Sequence, residues 1–594
     1  MADAPFRRIL VANRGEIAIR VMRSAKELGC ETVAVYSEAD RDALHVRYAD
    51  AAYLLGPASP AQSYLNAERL LEVAARAGAD AIHPGYGFFA ENAAFARRVV
   101  AAGLTWIGPH PDAIDAMGDK IRARAAMIAA GVPVVPGGTA SIKDAADAAA
   151  AARTFGLPLA LKASGGGGGK GLKIARSADE LAAAFSTATR EATAYFGNPA
   201  IYVERYLENP KHIELQVVAD KHGAVVHVGE RDCSLQRRHQ KIWEEGPPQL
   251  PDAVRAGLRA AGLQAARAIA YDSVGTIEYL VSGDAFYFLE MNTRIQVEHT
   301  VSEEISGLDL VREQILIAAG RPLSFAQEDV ELRGHAIEVR VNAEDPTQGF
   351  RPAPGTVTQY REPGGFGVRV DSAAYPGFTI TPDYDSLIAK LIVRGRTRGE
   401  TLARLGRAID EYVIIGVPTT LPLLRALIDF PPVIDATYGT ATLEPFAETF
   451  SGATANGAPT ALGSAPPVAQ TSDETIRVEV DDRLFRVRFV DFPVAQGSAA
   501  KSAAKPAPKR GARAGPPAAA GDDVLAPMHG VIVELPLAAG APVNAGDVVA
   551  VIEAMKMMNE IRAHKSGVVD VVAVAAGDTV EARTPLLTIR TPET

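Results

Sequence analysis

The chain has 594 residues, of which 47 % are hydrophobic. That supplies ordinary globular cores, and the length suggests about four domains. A net charge of −10 and a pI near 5.7 argue against nucleic acid or an anionic membrane as the main partner. Only Cys30 and Cys233 are present, the N-terminus lacks a signal-peptide core, and no run approaches ~18 uninterrupted apolar residues, so a soluble cytoplasmic protein without disulfides or a membrane span is expected.

Residues 9–12 read as a short buried strand, followed by Asn13-Arg14-Gly15-Glu16 and a helix in which Ala18, Val21, Met22, Ala25 and Leu28 recur on one face. Gly29 closes that helix. Runs at 32–36, 81–83 and 105–107 continue a strand–helix alternation that predicts a parallel α/β sheet. The first turn is not Gly-x-Gly-x-x-Gly, so no dinucleotide site is indicated. The loop His83-Pro84-Gly85-Tyr86-Gly87-Phe88 follows a strand end, where ligands of such sheets sit; His83 and Tyr86 could equally be packing residues.

The apolar run 157–164 leads into five consecutive glycines, Gly165 to Gly169, then Lys170-Gly171 and a second apolar run at 172–175. Such a loop lets backbone N–H groups approach phosphate oxygens, and lysine adds charge. It is not a Walker A loop: Ser164 stands where the first glycine should be, and Gly171 where Ser or Thr should bind magnesium. A glycine loop between two strands points to a flap over a nucleotide; a solvent linker is the alternative.

Further on, 275–281 and 285–292 flank the turn residues Ser282-Gly283-Asp284. A hairpin centred on Asp284 places Glu278 opposite Glu290. Facing carboxylates repel unless a cation sits between them. Asn292, two residues beyond Glu290, shares its face and adds an oxygen. Oxygen ligation suits Mg²⁺ bridging nucleotide phosphates; a charged edge strand is the other reading. If the extended conformation persists, Arg294, Gln296 and Glu298 project to one side, an arginine fork for a small planar anion beside a carboxylate that accepts its proton. A half-exposed strand shows the same alternation.

From about Ser451 the composition shifts to Ala, Gly, Pro, Ser and Thr, the mark of a linker. Residues 475–480 and 484–489 within it read as one β-hairpin, too small to fold alone and expected to pack on a neighbour. Residues 495–523 form a tether of about 30 residues, spanning on the order of 30 Å r.m.s. if flexible and up to roughly 90 Å if polyproline-like. Beyond it, 530–553 aligns without a gap onto 567–590 at a constant offset, with Gly530, Val531, Ala538, Ala539, Gly540, Val543, Ala545 and Ile552 recurring as identical residues. Two such copies cannot each bury an apolar face alone, so they should close into a quasi-symmetric β-sandwich. Lys556, in Glu553-Ala554-Met555-Lys556-Met557, falls at a hairpin tip between the copies. An ordinary solvated lysine is the bland reading, but methionines flanking it in an exposed turn suit a recognition surface.

The Glu-Ala-Met-Lys-Met segment resembles that of biotinyl carrier domains, which carry biotin on the lysine; lipoyl domains share the fold but usually show Asp-Lys-Ala. The first ~450 residues resemble the biotin carboxylase subunit of biotin-dependent carboxylases, in the ATP-grasp superfamily. The resemblance rests on Ala-Asn-Arg-Gly-Glu-Ile-Ala at 12–18, His-Pro-Gly-Tyr-Gly-Phe at 83–88, Met-Gly-Asp-Lys at 117–120, the Lys-Ala-Ser-glycine run, Glu-Asn-Pro-Lys-His at 208–212, the segments at 230–241 and 290–299, and Arg-Val-Asn-Ala-Glu-Asp-Pro at 340–346. Together the parts resemble the fused α subunit of bacterial acyl-CoA carboxylases.

The resemblance implies an α/β fold in several domains: a Rossmann-like N-terminal domain (1–117), an ATP-grasp domain with a mobile glycine-rich lid (118–332, lid about 135–205), a C-terminal carboxylase domain (333–450), the linker with its hairpin (451–523) and an all-β biotinyl domain (524–594). It also implies site roles. Lys120, Lys162, Gly168, Gly169, Glu204, Leu207, His212, Gln236 and His239 would contact ATP. Glu278, Glu290 and Asn292 would hold Mg²⁺ (or Mn²⁺). Lys241, Arg294, Gln296 and Val297 would bind bicarbonate, with Glu298 as base. Arg340 would stabilise the enolate of biotin, with Tyr86 and Phe366 near the ring. Bicarbonate would attack the γ-phosphate of ATP to give carboxyphosphate, whose CO₂ passes to biotin on Lys556. The partners implied are a biotin protein ligase, homo-oligomers of the core within a larger α/β complex, and a separate carboxyltransferase β subunit. An acyl-CoA is the expected acceptor, pyruvate or another 2-oxo acid the alternative. Arg205 departs from the usual lysine after Glu204, keeping charge without assuring geometry.

Overall fold

The computed structural model describes residues 4–164, 171–237, 240–451, 475–480, 483–488, 522–528, 530–554, 557–581 and 583–590. They fall into two compact units, one containing Met1–Ile380 and Leu387–Thr460, the other Ala461–Thr594 together with Thr381–Ser386.

At the start of the first unit, Arg8–Val11 pairs in parallel with Glu31–Ser37 and with Ala81–His83; Ala51–Gly56 and Thr105–Trp106 extend the sheet on its two sides, also in parallel. The helix Gly15–Glu27 between the first two strands is buried on more than one face. Besides Ala18, Val21, Met22 and Ala25 it hides Glu16, Arg20 and Ser24. Arg20 Nη2 reaches Glu303 at 2.6 Å and Asp309 at 2.8 Å, so its polar side is an internal contact rather than a solvent face.

A second, eight-stranded sheet carries the rest. Its order is Ala285–Asn292, Val274–Ser282, Lys211–Ala219, Val225–Arg237, Gln240–Gly246, His335–Asn342, Leu387–Gly395 and Val368–Ser372, antiparallel throughout. The strand Lys211–Ala219 shows why one face is greasy and the other charged. Ile213, Leu215 and Val217 enter a core with Leu258, Ala261 and Ala265 of the helix Asp252–Ala268, while the alternate positions His212, Glu214 and Gln216 face the other way.

The glycine run is flanked as expected. Leu159–Ala163 pairs antiparallel with Leu172–Ala175 and with Ile201–Arg205, and the three strands pack with Ala148, Leu181 and Ala188 of two neighbouring helices.

In the second unit, Thr475–Val480 and Arg483–Arg488 form the expected hairpin. The C-terminal repeat becomes two four-stranded sheets. Val531 pairs with Glu553 and Ile532 with Ile552 in one copy, and Val568 with Arg590 and Val569 with Ile589 in the other. Ile532, Ile552, Val569 and Ile589 share one core. The repeated glycine has a steric cause: a Cβ on Gly530 would lie 2.5 Å from the Glu553 carbonyl, and one on Gly567 would collide with the Arg590 carbonyl. Val548–Ala554 and Met557–Arg562 pair down to Ala554 opposite Met557. Lys556, between them in sequence, lies outside the described residues, as do Gly168, Gly169 and His239.

Candidate active site

The charged face of the long sheet is built by cross-strand register. Glu290 lies opposite Glu278, Glu278 opposite Glu214, and Glu214 opposite Arg231. Farther along, Glu244 faces Glu338, and Lys390 lies between Arg340 and Asp371.

The Glu278–Glu290 pairing arises differently from the expected symmetric hairpin. Ser282 pairs with Ala285 across a two-residue turn, a register that would set Glu278 against Leu289. A bulge between Tyr279 and Glu278 accommodates Leu289 as an extra residue and brings Glu290 opposite Glu278.

Three acidic side chains converge on one ammonium. Lys241 Nζ donates to Glu278 at 3.0 Å, to Glu298 at 2.8 Å and to Glu214. Arg340 donates through Nη2 to the other oxygen of Glu298 at 2.9 Å and through Nε to Glu244 at 2.7 Å. Burial alone would raise the pKa of Glu298; Lys241 and Arg340, working against the Glu214 charge, draw it down to about 2. Glu244 shows the opposite balance: burial outweighs Arg340 and pushes its carboxyl up to about 7.

The segment 294–298 wraps this centre. Arg294 donates to Glu91 at 2.9 Å and to Asn292 Oδ1 at 2.8 Å. Gln296 donates to Glu278 at 2.9 Å and accepts from Arg231 at 2.6 Å. Arg294, Gln296, Glu278, Lys241, Glu298 and Arg340 line a cavity of about 410 Å³ with Val297, Lys120, Lys162, Glu204, Leu207, His212 and Gln236. Ala160, Leu172, Leu280 and Leu289 give the same cavity an apolar part. Lys120 Nζ lies 2.6 Å from Glu290 and, as the largest influence on it, holds that carboxylate at about 2. Glu204 is held by Lys162 and, at 2.9 Å, by Arg124. His212 Nε2 lies 3.0 Å from Glu278; burial works to lower its pKa, but the Glu278 charge prevails and raises it to about 9.

The donor set fits a hard divalent cation. Glu278 and Glu290 face each other, and Asn292 donates through Nδ2 to Glu278 at 2.8 Å while its Oδ1 accepts from Arg294; Lys120 sits on Glu290, and Lys241 and His212 sit on Glu278. His212 and Glu214 also bring ligand atoms within 4.8 Å of each other and of Glu278.

Tyr86 and Phe366 are not in the cavity wall. The Tyr86 hydroxyl donates to Glu16, and Phe366, 89 % exposed, lies under the Arg404 guanidinium with 5.4 Å to the ring centroid. His83 is a packing residue, fully buried, with Nδ1 accepting from Gly85 N at 3.0 Å. Sequence reasoning missed Glu214, Arg231, Glu244 and Lys390. The alternation of His212, Glu214 and Gln216 with Ile213, Leu215 and Val217 was the available signal for the first; Arg231 stands in a charged run between Glu230 and Asp232 that does not single it out, and Lys390 sits among apolar neighbours with no such cue.

Four family models together match most of the chain, leaving the segment 446–521 unmatched. "Biotin carboxylase, N-terminal domain" matches residues 5–114, "Carbamoyl-phosphate synthase L chain, ATP binding domain" 119–326, "Biotin carboxylase C-terminal domain" 338–445 and "Biotin-requiring enzyme" 522–589. The biotin-dependent acyl-coenzyme A carboxylase alpha3 subunit of Mycobacterium leprae is 44 % identical across 99 % of both chains. A pyruvate carboxylase subunit of Methanothermobacter thermautotrophicus is 53 % identical over 71 % of this chain and 86 % of its own. Among solved structures, the biotin carboxylase domain dimer of Hydrogenobacter thermophilus 2-oxoglutarate carboxylase, in complex with MgADP, ADP and bicarbonate, aligns at 48 % identity and a TM-score of 0.72, covering 75 % of this chain and 99 % of that one.

Proposed function

We propose, from the premise that this chain belongs to the biotin carboxylase family and carries a biotin-requiring domain on the same polypeptide, that it uses ATP, Mg²⁺ and bicarbonate to carboxylate biotin on its own Lys556, for delivery to an acyl-CoA on a separate carboxyltransferase β subunit. The observation that carries the reading is the buried Lys241–Glu298–Arg340 cluster at the cavity that Lys120 and Lys162 also line.

Lys120, Lys162, Glu204, Leu207, His212 and Gln236, with Gly168, Gly169 and His239, bind ATP. Leu280 and Leu289 supply an apolar wall for its base. Glu278, Glu290 and Asn292 would hold Mg²⁺, which when bound would supply positive charge against the phosphate groups. Lys241, Arg294, Gln296 and Val297 cradle bicarbonate. Until that anion arrives, Glu298 is a poor base, because both its oxygens are bound to cations. An anion that draws Lys241 and Arg340 onto itself relieves Glu298 of that stabilisation, and its proton affinity rises when a proton is there to accept. Arg340, so released, meets negative charge on the biotin ring, and Tyr86 and Phe366 are assigned to the ring's surroundings. Burial of the cluster keeps water from the reacting groups.

The acyl-CoA reading is supported by the full-length match to an acyl-coenzyme A carboxylase subunit. The match to a pyruvate carboxylase subunit favours a 2-oxo acid acceptor as the second reading. A biotin protein ligase that loads Lys556, a homo-oligomeric core and a cytoplasmic α/β complex complete the proposal; among the described residues no helix is long and apolar enough to cross a membrane. Formation of ADP by the purified chain, dependent on both bicarbonate and biotin, tests the first half-reaction. The complex with its co-purified β subunit is then assayed against a panel of acyl-CoAs, pyruvate and 2-oxoglutarate. Biotin-independent ATP cleavage would sink the carboxylase reading; turnover of 2-oxo acids alone would sink the acyl-CoA reading.

A further inference from the structure

Lys390 is a fully buried lysine to which the chemistry above gives no task. It lies on the strand Leu387–Gly395, opposite Arg340. Its ammonium donates to the backbone carbonyl of Val297 at 2.8 Å, and lies 3.5 Å from Glu16 and 3.9 Å from Asp371. Glu16 in turn accepts from the Tyr86 hydroxyl. An unpaired buried ammonium is costly, so the two carboxylates account for its charge. They do not account for its bond to a carbonyl in the middle of the segment 294–298.

Val297 sits between Gln296, which reaches Glu278 and Arg231, and Glu298, which reaches Lys241 and Arg340. These residues bridge the end of the strand Ala285–Asn292 and the helix His299–Ser306. A carbonyl fixed there sets the direction in which both neighbouring side chains leave the backbone. We propose that Lys390 is a positioning residue for bicarbonate: through the Val297 carbonyl it holds Gln296 and Glu298 in the cradle, and through Glu16 it ties that segment to the Tyr86 loop. It touches no reacting atom itself. The inference rests on the assignment of bicarbonate to the cradle made above.

The test is steady-state carboxylation of free biotin by the full chain. In Lys390→Met the KM for bicarbonate rises at least tenfold while the KM for ATP stays within twofold. Lys390→Gln, which keeps a donor for the Val297 carbonyl, recovers most of that loss. Arg294→Ala is the reference: if it leaves the bicarbonate KM unchanged, the cradle assignment itself fails. If Arg294→Ala raises that KM and Lys390→Met does not, or if Lys390→Met raises both KM values together, the positioning role is overturned and the cradle stands. Should Lys390→Met not fold, Glu16→Gln, of nearly identical shape, raises the bicarbonate KM at least threefold; an unchanged value there overturns the proposal.

Discussion

Glu298 illustrates how a residue's chemistry is set by what surrounds it. A carboxylate buried this deeply would ordinarily be neutral at pH 7, yet Lys241 and Arg340 keep it ionised to about pH 2. Glu298→Gln removes the proposed proton acceptor but leaves both cations in place. It should lower bicarbonate-dependent ATP cleavage by about 100-fold or more, with ADP affinity, measured by calorimetry, changed less than about twofold. Glu245 carries a stability consequence. Burial would raise its pKa, but His335, 3.2 Å away, Arg398 at 3.0 Å and Tyr438 depress it from 4.5 to about 2. A depressed carboxylate stabilises the fold above its unfolded pKa and loses that contribution as pH falls through the folded one, here between about 4.5 and 2. The contribution is on the order of 3 kcal/mol. Denaturant titrations of Glu245→Gln against the parent chain should show lower stability at pH 7 and a flatter decline across that window; parallel curves would contradict the assignment.

At the scale of elements, the hairpin of Val274–Ser282 and Ala285–Asn292 does two jobs through one irregularity. The bulge that places Leu289 also sets Glu290 against Glu278, so an apolar cavity residue and the pair proposed to hold metal arise side by side. Leu289→Ala should weaken ADP binding about 5–10-fold, the value of removing roughly a leucine's apolar surface from a partly buried contact. The magnesium concentration for half-maximal activity should not move, because Glu278 and Glu290 are untouched. In the C-terminal sandwich, Gly567→Ala drives a methyl group into the Arg590 carbonyl and the Ile589 side chain. Overpacking of this kind costs about 1–3 kcal/mol. Thermal unfolding of the biotinylated chain, followed by protease sensitivity at the C-terminus, should show an earlier transition for that domain while free-biotin carboxylation persists.

The whole molecule divides labour between a unit that holds the charged cavity and one that holds the sandwich. Lys556→Arg should abolish transfer of carboxyl groups to substrate by the α/β complex while leaving carboxylation of free biotin within about twofold of the parent. Loss of both activities, followed by radiolabelled bicarbonate incorporation, would contradict that division. In the proposed reading the cavity wall serves phosphate, metal and a small anion, and the acyl acceptor is met on the β subunit.

What was legible in the sequence was whatever local pattern dictates. The 37-residue repeat returned as strand pairs offset by that same interval, because side-chain alternation and turn glycines act within a few residues. The Glu278–Glu290 opposition was also within reach, although the bulge that produces it was not. Only the tertiary structure could decide the partners of Lys241, Arg340 and Lys390, which come from strands and loops many residues apart. An isolated lysine in an apolar run has no signature of its own; its role is fixed by which carboxylates and carbonyls the folded sheet brings within 3–4 Å, where a buried charge must find partners.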